Sequence, residues 1–490
     1  MPNLLFVKKS IEQLQAEAAG IGETHTLKRT LGAFNLVLLG IGAIIGAGLF
    51  SLTGIAAAHH AGPAVTLSYG LAAIGCAFAA LCYAEFASMI PIAGSAYTYA
   101  YATMGELIAW IIGWDLVLEY AVGAATVAVS WSRYFSKLLE SFGLHLPATV
   151  MMSPFEHQSM PDGTIVHGII NLPAVLVISI ISLLLIRGTR ESATFNAFIV
   201  VLKVAVIITF IVLGWGYINP ENYVPYIPPN TGVFGEFGWS GIFRGAAIVF
   251  FAFIGFDAVS TAAQEARNPQ KDMPIGIIGS LAICTVLYVL FSHVLTGLEN
   301  YKNFANEAAP AALAIAHTPY IWLQQAIIIA ILAGYTSVML VMLLGQSRVF
   351  YSISKDGLLP RVFSDIHPRF RTPWKSNALF AVFVSCLAGF LPITIVGEMT
   401  SIGTLFAFSL VSLGVLILRY TQPTVPRAFR TPWVPFVPIM GVITCVAMMY
   451  SLPWDTWLRL VLWMALGLAI YFRYSMHRSR LRKAALAHVQ

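Results

Sequence analysis

Among the ionisable side chains inside long apolar stretches of this sequence, where a charge is costly, five stand out: Lys203, Asp115, Glu119, Asp257 and Glu85. A charged side chain at the centre of a lipid bilayer costs at least about 2.5–3.5 kcal/mol, so each of the five is a candidate for function. Lys203 has only apolar neighbours within one turn of a helix. A buried lysine can exchange its proton, which would suit proton transfer across a membrane. Alternatively, it stays charged in an ion pair that braces helices.

The positions of the four acidic residues suggest different roles. Asp115 and Glu119 are four residues apart and therefore share one face of a helix. We predict that Glu119 lines a path to the cytoplasm, pairs with a basic group or makes a buried structural hydrogen bond. Asp115 and Glu85 are predicted to be structural. Asp257 follows a glycine-containing interruption, where it either accepts hydrogen bonds from exposed amides, caps a helix or contacts a ligand.

The elements that position these residues are apolar segments of membrane-spanning length. The chain has 490 residues, of which 58% are hydrophobic and only 10% charged, whereas an average soluble domain has about 25% charged residues. A helix needs about 20 apolar residues to span the hydrocarbon core. Apolar stretches of roughly that length occur at 33–57, 64–90, 103–131, 172–187, 194–216, 242–262, 274–299, 319–347, 376–391, 397–418, 434–451 and 454–474. The sequence therefore predicts an all-α polytopic membrane protein with about twelve transmembrane helices.

Lysine and arginine are distributed unevenly between the predicted loops. If the N-terminus is cytoplasmic, 22 of the 28 Lys and Arg residues fall on the cytoplasmic side. This asymmetry predicts that both termini are cytoplasmic, and it explains the net charge of +6 without a nucleic-acid partner. The first 32 residues lack the pattern of a removable signal peptide. We predict a tail at 1–32, a single transmembrane domain at 33–474 and a second tail at 475–490.

Two of the apolar stretches are interrupted near their centres. Residues 40–48 contain four glycines in nine positions, and residues 250–257 contain a glycine followed by Asp257. Glycine weakens a helix interior by about 1 kcal/mol relative to alanine, so both helices are expected to unwind there. Breaks in the first and sixth segments, five apart, are typical of inverted-repeat transporters that bind substrate at the breaks. Close helix packing through small residues is the alternative interpretation.

Other functional classes find little support in the sequence. It contains no Walker lysine loop, no HExxH and no GxSxG motif, and the glycines of 40–48 do not follow a strand as a nucleotide-binding loop would. The five cysteines all lie in apolar stretches, at spacings that suit neither metal ligation nor a disulfide framework. We therefore expect a protein that is not an enzyme and has no cofactor or metal.

Several longer motifs resemble the amino acid–polyamine–organocation superfamily. They are GIGAIIGAGLF at 40–50, YAEF at 83–86, SAYTY at 95–99, GWDLVLEY at 113–120, RNPQKDMPIG at 267–276, DGLLP at 356–360, GTLFAF at 403–408 and RAFRTP at 427–432. The segment 250–265 and the residues QSR at 346–348 also match. Within the superfamily, the sequence most resembles the cationic amino acid transporter family, in a bacterial twelve-helix version.

This resemblance implies the five-plus-five inverted-repeat fold of the leucine transporter, with helices one and six broken. It implies that a substrate carboxylate meets the backbone amides of Gly46, Ala47 and Gly48. The substrate ammonium would meet backbone carbonyls of both breaks, namely those of Ile44, Ile45, Phe251, Ala252 and Ile254. Phe251 would be the aromatic gate over the substrate, and Lys203 would take the place that a sodium ion has in relatives. Ala47 lacks the hydroxyl that several relatives carry there, so only its backbone can contact substrate.

The function expected from these observations is import of L-amino acids by proton symport, with the proton as coupling ion, across a bacterial inner membrane. Met339 and Met342 favour an apolar, adaptable pocket and hence small neutral or hydrophobic substrates. A cationic substrate would instead need Glu119 or Asp257 as its partner. Amino acid exchange without proton coupling, sodium symport through the hydroxyls of Thr336 and Ser337, and a membrane scaffold remain alternatives. The particular amino acid, the oligomeric state and any accessory subunit stay open.

Overall fold

Apolar helices of membrane-spanning length dominate the architecture. The computed structural model describes residues 4–10, 13–14, 31–90, 92, 94–159, 165–188, 193–305, 307 and 309–487. In this part of the chain, eight helical spans are long and apolar enough to cross a membrane, and four shorter apolar helices accompany them. Each of the twelve predicted stretches is helical, which confirms the all-α polytopic fold. Most of the predicted tail at 1–32 lies outside the described residues.

The principal helices follow one another in the order of the predicted stretches. They are α1 (Ala33–Ile44), α2 (Val65–Met89), α3 (Ser95–Thr103), α4 (Glu106–Ser141), α5 (Leu172–Arg187), α6 (Ala193–Trp215), α7 (Gly238–Val249), α8 (Ala258–Thr261), α9 (Pro269–Leu298), α10 (Pro310–Ile315), α11 (Ile321–Lys355), α12 (Trp374–Phe390), α13 (Ile393–Thr421), α14 (Phe436–Ser451), α15 (Trp454–Ile470) and α16 (Arg480–Ala487). Short helical pieces at Gly48–Leu52, Thr53–Ala56 and Ala57–Ala61 lead from α1 towards α2, and a 3₁₀ turn at Phe250–Phe253 follows α7.

Two local features differ from the sequence prediction. The predicted apolar stretch 103–131 ends at Trp131, but α4 continues through the amphipathic residues that follow, as far as Ser141. Its polar side chains do not end the helix because one face, including Ser132 and Tyr134, remains buried. The sequence also gave no indication of the antiparallel pair β1 (His157–Ser159) and β2 (Ile165–His167). Strands of three residues are too short to show a clear alternation of side chains.

The first and sixth membrane segments are both interrupted, as predicted. The helix α1 ends at Ile44, and Ile45 has extended backbone angles before the chain becomes helical again at Gly48. The sixth segment passes from α7 into the 3₁₀ turn and then into extended backbone at Ile254. The long helix α9 packs against α1 and α2 and runs beside both interruptions. These breaks expose backbone groups in the interior of the protein, where the functional residues were expected.

Candidate functional site

The break in the first segment leaves backbone donors facing the interior. Gly46, Ala47 and Gly48 lie between the end of α1 and the start of the second half-helix, and Ala47 and Gly48 are buried. The first N–H groups of a helix have no acceptor one turn earlier and carry the positive end of the helix dipole. An anionic group such as a carboxylate is therefore stabilised at this position. The three predicted amides therefore lie at the break, and their role as ligands of a substrate carboxylate stays a prediction.

The break in the sixth segment depends on Gly255. Its φ is +119°, a conformation that residues with a Cβ rarely adopt. A Cβ at this position would also lie 2.8 Å from the backbone carbonyl of Ala43, in α1. Glycine is thus required here for two reasons. Because it has no Cβ, the two interrupted segments can approach each other directly.

Gly46 and Gly48 belong to the same sequence motif, but their surroundings in the structure differ. A Cβ on Gly48 would overlap the backbone of Ala252, so this glycine permits the two breaks to touch. A Cβ on Gly46 would lie 3.4 Å from a methyl group of Val338, in α11, which is an ordinary contact distance. Gly48 therefore has a packing role in addition to its backbone amide, whereas Gly46 has more room around it.

Lys203, on α6, bonds to the break in the first segment. Its side chain is 2% exposed, and its Nζ donates to Gly42 O at 2.9 Å and to Ile45 O at 3.2 Å. The family resemblance implied the carbonyl of Ile45 as a contact of the substrate ammonium, and it named no role for the carbonyl of Gly42. A Cβ on Gly334 would lie 2.8 Å from the lysine Cε, so this glycine of α11 leaves space for the lysine stem.

A tyrosine that the sequence analysis missed joins the two breaks. The hydroxyl of Tyr288, on α9, lies 3.0 Å from Ile44 O and 2.9 Å from Ala252 O, and it is oriented to donate to either. Both carbonyls belong to the set predicted to face a substrate ammonium. The carbonyl of Phe251 also has a partner, because it accepts from the N–H of Ile254 at 3.2 Å. Four of the five predicted carbonyls are therefore within hydrogen-bond distance of donors that belong to the protein itself.

The aromatic residues of the sixth break are all buried. Phe250 packs edge-on against Phe408 with ring centroids 5.7 Å apart, and Phe253 lies 5.3 Å from the ring of Tyr288. Phe251 is 3% exposed, and it lies between these two phenylalanines in the 3₁₀ turn. Its burial fits an aromatic plug, although the gating role stays a prediction.

A cluster of carboxyl groups lies in the interior near the sixth break. Asp257 Oδ2 accepts a hydrogen bond from Tyr120 Oη at 2.7 Å, and the Asp257 side chain does not cap α8. Glu119 lies beside Asp257. Asp115, Glu119 and Asp257 are all at most 1% exposed. Within the described residues, both carboxyl oxygens of Asp115 and of Glu119 have no hydrogen-bond partner, and neither does Asp257 Oδ1.

Glu85, by contrast, is fully paired. Its carboxylate bonds to Arg419 at 2.7 Å and to Arg427 at 3.0 Å, and it accepts from the backbone N–H of Thr431 at 2.8 Å. These contacts tie α2 to α13 and to the loop that follows α13. The geometry agrees with the structural interpretation of Glu85.

The residues considered for other ligands have local contacts. Thr336, a candidate for sodium binding, donates its hydroxyl to Leu332 O of the same helix at 2.8 Å. Met339 and Met342 are both buried, and a Cβ on Gly123 would lie 3.3 Å from the sulfur of Met342. Met342 thus lies between α11 and α4.

The fold and the site together define a secondary transporter with two broken helices. The sequence model of the amino acid permease family matches residues 31–470. The methylthioribose transporter of Bacillus subtilis is 44% identical over 479 residues, which is 98% of this chain and 99% of that protein. The branched-chain amino acid permease BcaP of the same organism is 44% identical over 483 residues, covering 99% and 100% of the two chains.

A plant relative extends the comparison to the family that the sequence motifs resembled. The vacuolar cationic amino acid transporter 4 of Arabidopsis thaliana is 40% identical over 402 residues, which is 81% of this chain and 64% of that protein. This chain belongs to the amino acid permease family, within the amino acid–polyamine–organocation superfamily. It is a multi-pass membrane transport protein and not an enzyme.

Proposed function

We propose that this protein imports neutral, hydrophobic L-amino acids by proton symport through alternating access. The observation that carries the proposal is the position of Lys203, whose ammonium group bonds to two carbonyls at the break of the first segment. A single positive charge at that position does what a bound metal cation would do, because it satisfies carbonyl dipoles that a broken helix leaves without donors. Unlike a metal ion, the lysine changes its charge by exchanging a proton.

The coupling of proton and substrate follows from this geometry. With its proton, Lys203 holds Gly42 O and Ile45 O and stabilises the broken backbone beside the amides that would receive the substrate carboxylate. Without its proton, Lys203 is a neutral amine with one hydrogen-bond donor fewer, and its interaction with the broken backbone weakens. Protonation from the outside would therefore favour substrate binding, and proton release on the inside would favour substrate release. We propose that both termini face the cytoplasm of a bacterial inner membrane.

Neutral substrates are supported by the apolar lining and by one of the relatives. Met339 and Met342 are buried on α11, the helix whose Val338 lies beside Gly46, and unbranched methionine side chains adapt to apolar ligands of different shape. The BcaP proteins of Bacillus subtilis and Lactococcus lactis, 44% and 37% identical to this chain, are described as branched-chain amino acid permeases. The methylthioribose transporter is equally similar, so overall identity alone does not select the substrate.

A cationic amino acid is the second candidate, because the carboxyl cluster offers it a partner. Glu119 and Asp115 have carboxyl oxygens without hydrogen-bond partners among the described residues, and a guanidinium or ammonium group could bond to them. The plant relatives are cationic amino acid transporters by name. This candidate requires that the substrate side chain extend from the breaks towards α4.

Uptake by purified protein in liposomes tests the proposal. With a more acidic outside and no amino acid inside, we expect accumulation of labelled leucine, isoleucine or valine above the external concentration. Arginine, lysine and methylthioribose are tested in parallel. Uptake that occurs only with amino acid preloaded inside would show exchange instead of symport. Accumulation of arginine in preference to leucine would favour the second candidate, and accumulation that requires sodium would contradict the role of Lys203.

A further inference from the structure

Tyr288 connects the two broken segments through one hydroxyl group. Its oxygen lies within 3.0 Å of Ile44 O and 2.9 Å of Ala252 O. Its ring is fully buried and packs against Tyr69 and Phe253, with ring centroids 5.5 Å and 5.3 Å apart. Packing on both sides fixes the ring, so the hydroxyl is held between the two carbonyls by the surrounding side chains.

The hydroxyl and a substrate ammonium need the same acceptors. Under the proposed function, Ile44 O and Ala252 O face the ammonium of the amino acid. A hydroxyl has one proton to donate, whereas an ammonium has three. A buried carbonyl without a donor costs about 1–3 kcal/mol. Whenever the amino acid leaves, both carbonyls therefore need a replacement donor, and Tyr288 is positioned to provide one.

We propose, on the basis of the proposed function, that Tyr288 is a positioning residue for the substrate-free step of the transport cycle. After the amino acid has left, the single hydroxyl proton of Tyr288 is donated to one or the other of the two carbonyls, and so it stabilises the closed carrier that must return across the membrane without substrate. Net uptake includes this return in every cycle. Exchange of internal for external amino acid does not, because the carrier returns with substrate bound.

The comparison of net uptake with exchange tests this role in the full-length protein. Tyr288→Phe removes the hydroxyl and retains the ring that packs on Tyr69 and Phe253. In proteoliposomes with labelled L-leucine, we expect net uptake to fall about tenfold, the order expected from one unsatisfied buried carbonyl. Exchange is expected to be unchanged, and leucine is expected to bind at least as tightly, because the variant offers no competing donor.

Tyr134→Phe is the matched control. Tyr134 is a buried tyrosine whose hydroxyl donates to Phe50 O at 2.7 Å, a carbonyl of the first segment beyond the break. Its removal also leaves a carbonyl without that donor, but one that no substrate ammonium is proposed to contact. We expect it to lower net uptake and exchange in equal proportion, if it lowers them at all.

The outcomes separate this inference from the proposed function. If Tyr288→Phe loses net uptake and exchange equally, or binds leucine more weakly, the inference is wrong while the proposed function stands. If the wild-type protein accumulates no amino acid in a proton gradient, the proposed function fails. A wild type that exchanges amino acids without any net uptake contradicts both, because such a carrier has no substrate-free return.

Discussion

Lys203 and Glu85 are both buried ionisable residues in membrane segments, but their partners are of different kinds. Lys203 bonds to backbone carbonyls of a broken helix, which are dipoles without net charge. Glu85 bonds to two arginines and a backbone amide. A group held by dipoles leaves no opposite charge behind when it exchanges its proton. A group held by full charges would leave them uncompensated, which costs several kcal/mol.

Under the proposed function, this difference separates a residue that takes part in the transport cycle from one that holds the protein together. The backbone at the break of the first segment can rearrange because its hydrogen bonds end there, whereas the contacts of Glu85 connect two complete helices and a loop. Burial of a charge in a membrane protein is therefore insufficient to infer function. The type of partner has to be known as well.

The largest expected effect is the loss of accumulation in Lys203→Met. Methionine keeps the length and apolar bulk of the side chain but cannot carry a proton, so we expect no accumulation of amino acid in response to a pH gradient. Lys203→Arg should also fail, since a guanidinium stays charged in proteins. Uptake into liposomes measures both. If Lys203→Met still concentrates amino acid, Lys203 is structural, and the carboxyl cluster at Glu119 becomes the next candidate for the proton.

Glu85→Gln tests whether the ion pairs of Glu85 stabilise the fold without a part in transport. It leaves Arg419 and Arg427 without their carboxylate, and breaking one partner of a buried ion pair costs about 3–5 kcal/mol. We expect a lower melting temperature in detergent, while the molecules that remain folded keep their proton-driven uptake. A variant of normal stability that has lost proton coupling would place Glu85 in the transport mechanism and remove the distinction.

Substitutions at Gly46 and Gly48 test whether the break in the first segment binds substrate. Gly46→Val should abolish substrate binding with little loss of stability, because the side chain would occupy the space beside the amides. Gly48→Val should lose both binding and stability, since its Cβ overlaps the backbone of Ala252 and overpacking costs about 1–3 kcal/mol. Gly70→Val is the control, because a Cβ there meets no atom within 4 Å. Normal affinity in Gly46→Val, measured by scintillation proximity, would exclude the proposed carboxylate site.

The smallest expected effect is that of Phe251→Ala. Truncation of this buried side chain should leave the fold intact but make closure over the substrate leaky, so that bound amino acid dissociates faster. The rate of release of labelled substrate from the purified protein measures the change. An unchanged release rate and affinity would assign the gate to another aromatic residue of the sixth break, with Phe253 as the next candidate.

The sequence was most informative where it departed from the regular pattern of an apolar helix. The glycines at 40–48 and the acid at 257 marked both breaks, and the isolated charge of Lys203 marked the residue that bonds to one of them. Tyr288 could not be predicted in this way. The chain has 19 tyrosines, and a tyrosine in an apolar helix causes no interruption of the pattern. Only the packing of α9 against both breaks identifies the hydroxyl that reaches two carbonyls.

The different surroundings of the two glycines were also beyond the sequence. Gly46 and Gly48 belong to one motif, but of the two it is Gly48 that packs against the backbone of Ala252, some 200 residues further along the chain. Likewise, the pairing of Glu85 with Arg427 joins residues whose distance in sequence is 342. Local patterns predict where a helix breaks, but they do not predict what another segment places beside the break.

Under the proposed function, each amino acid that this protein imports enters together with a proton. The most direct measurement is the pH inside proteoliposomes that contain the wild-type protein and an enclosed pH-sensitive dye, after amino acid is added outside. We expect leucine to acidify the lumen while it enters, and we expect Lys203→Met to show no acidification at any leucine concentration. Entry of leucine into wild-type liposomes at constant internal pH would contradict proton symport.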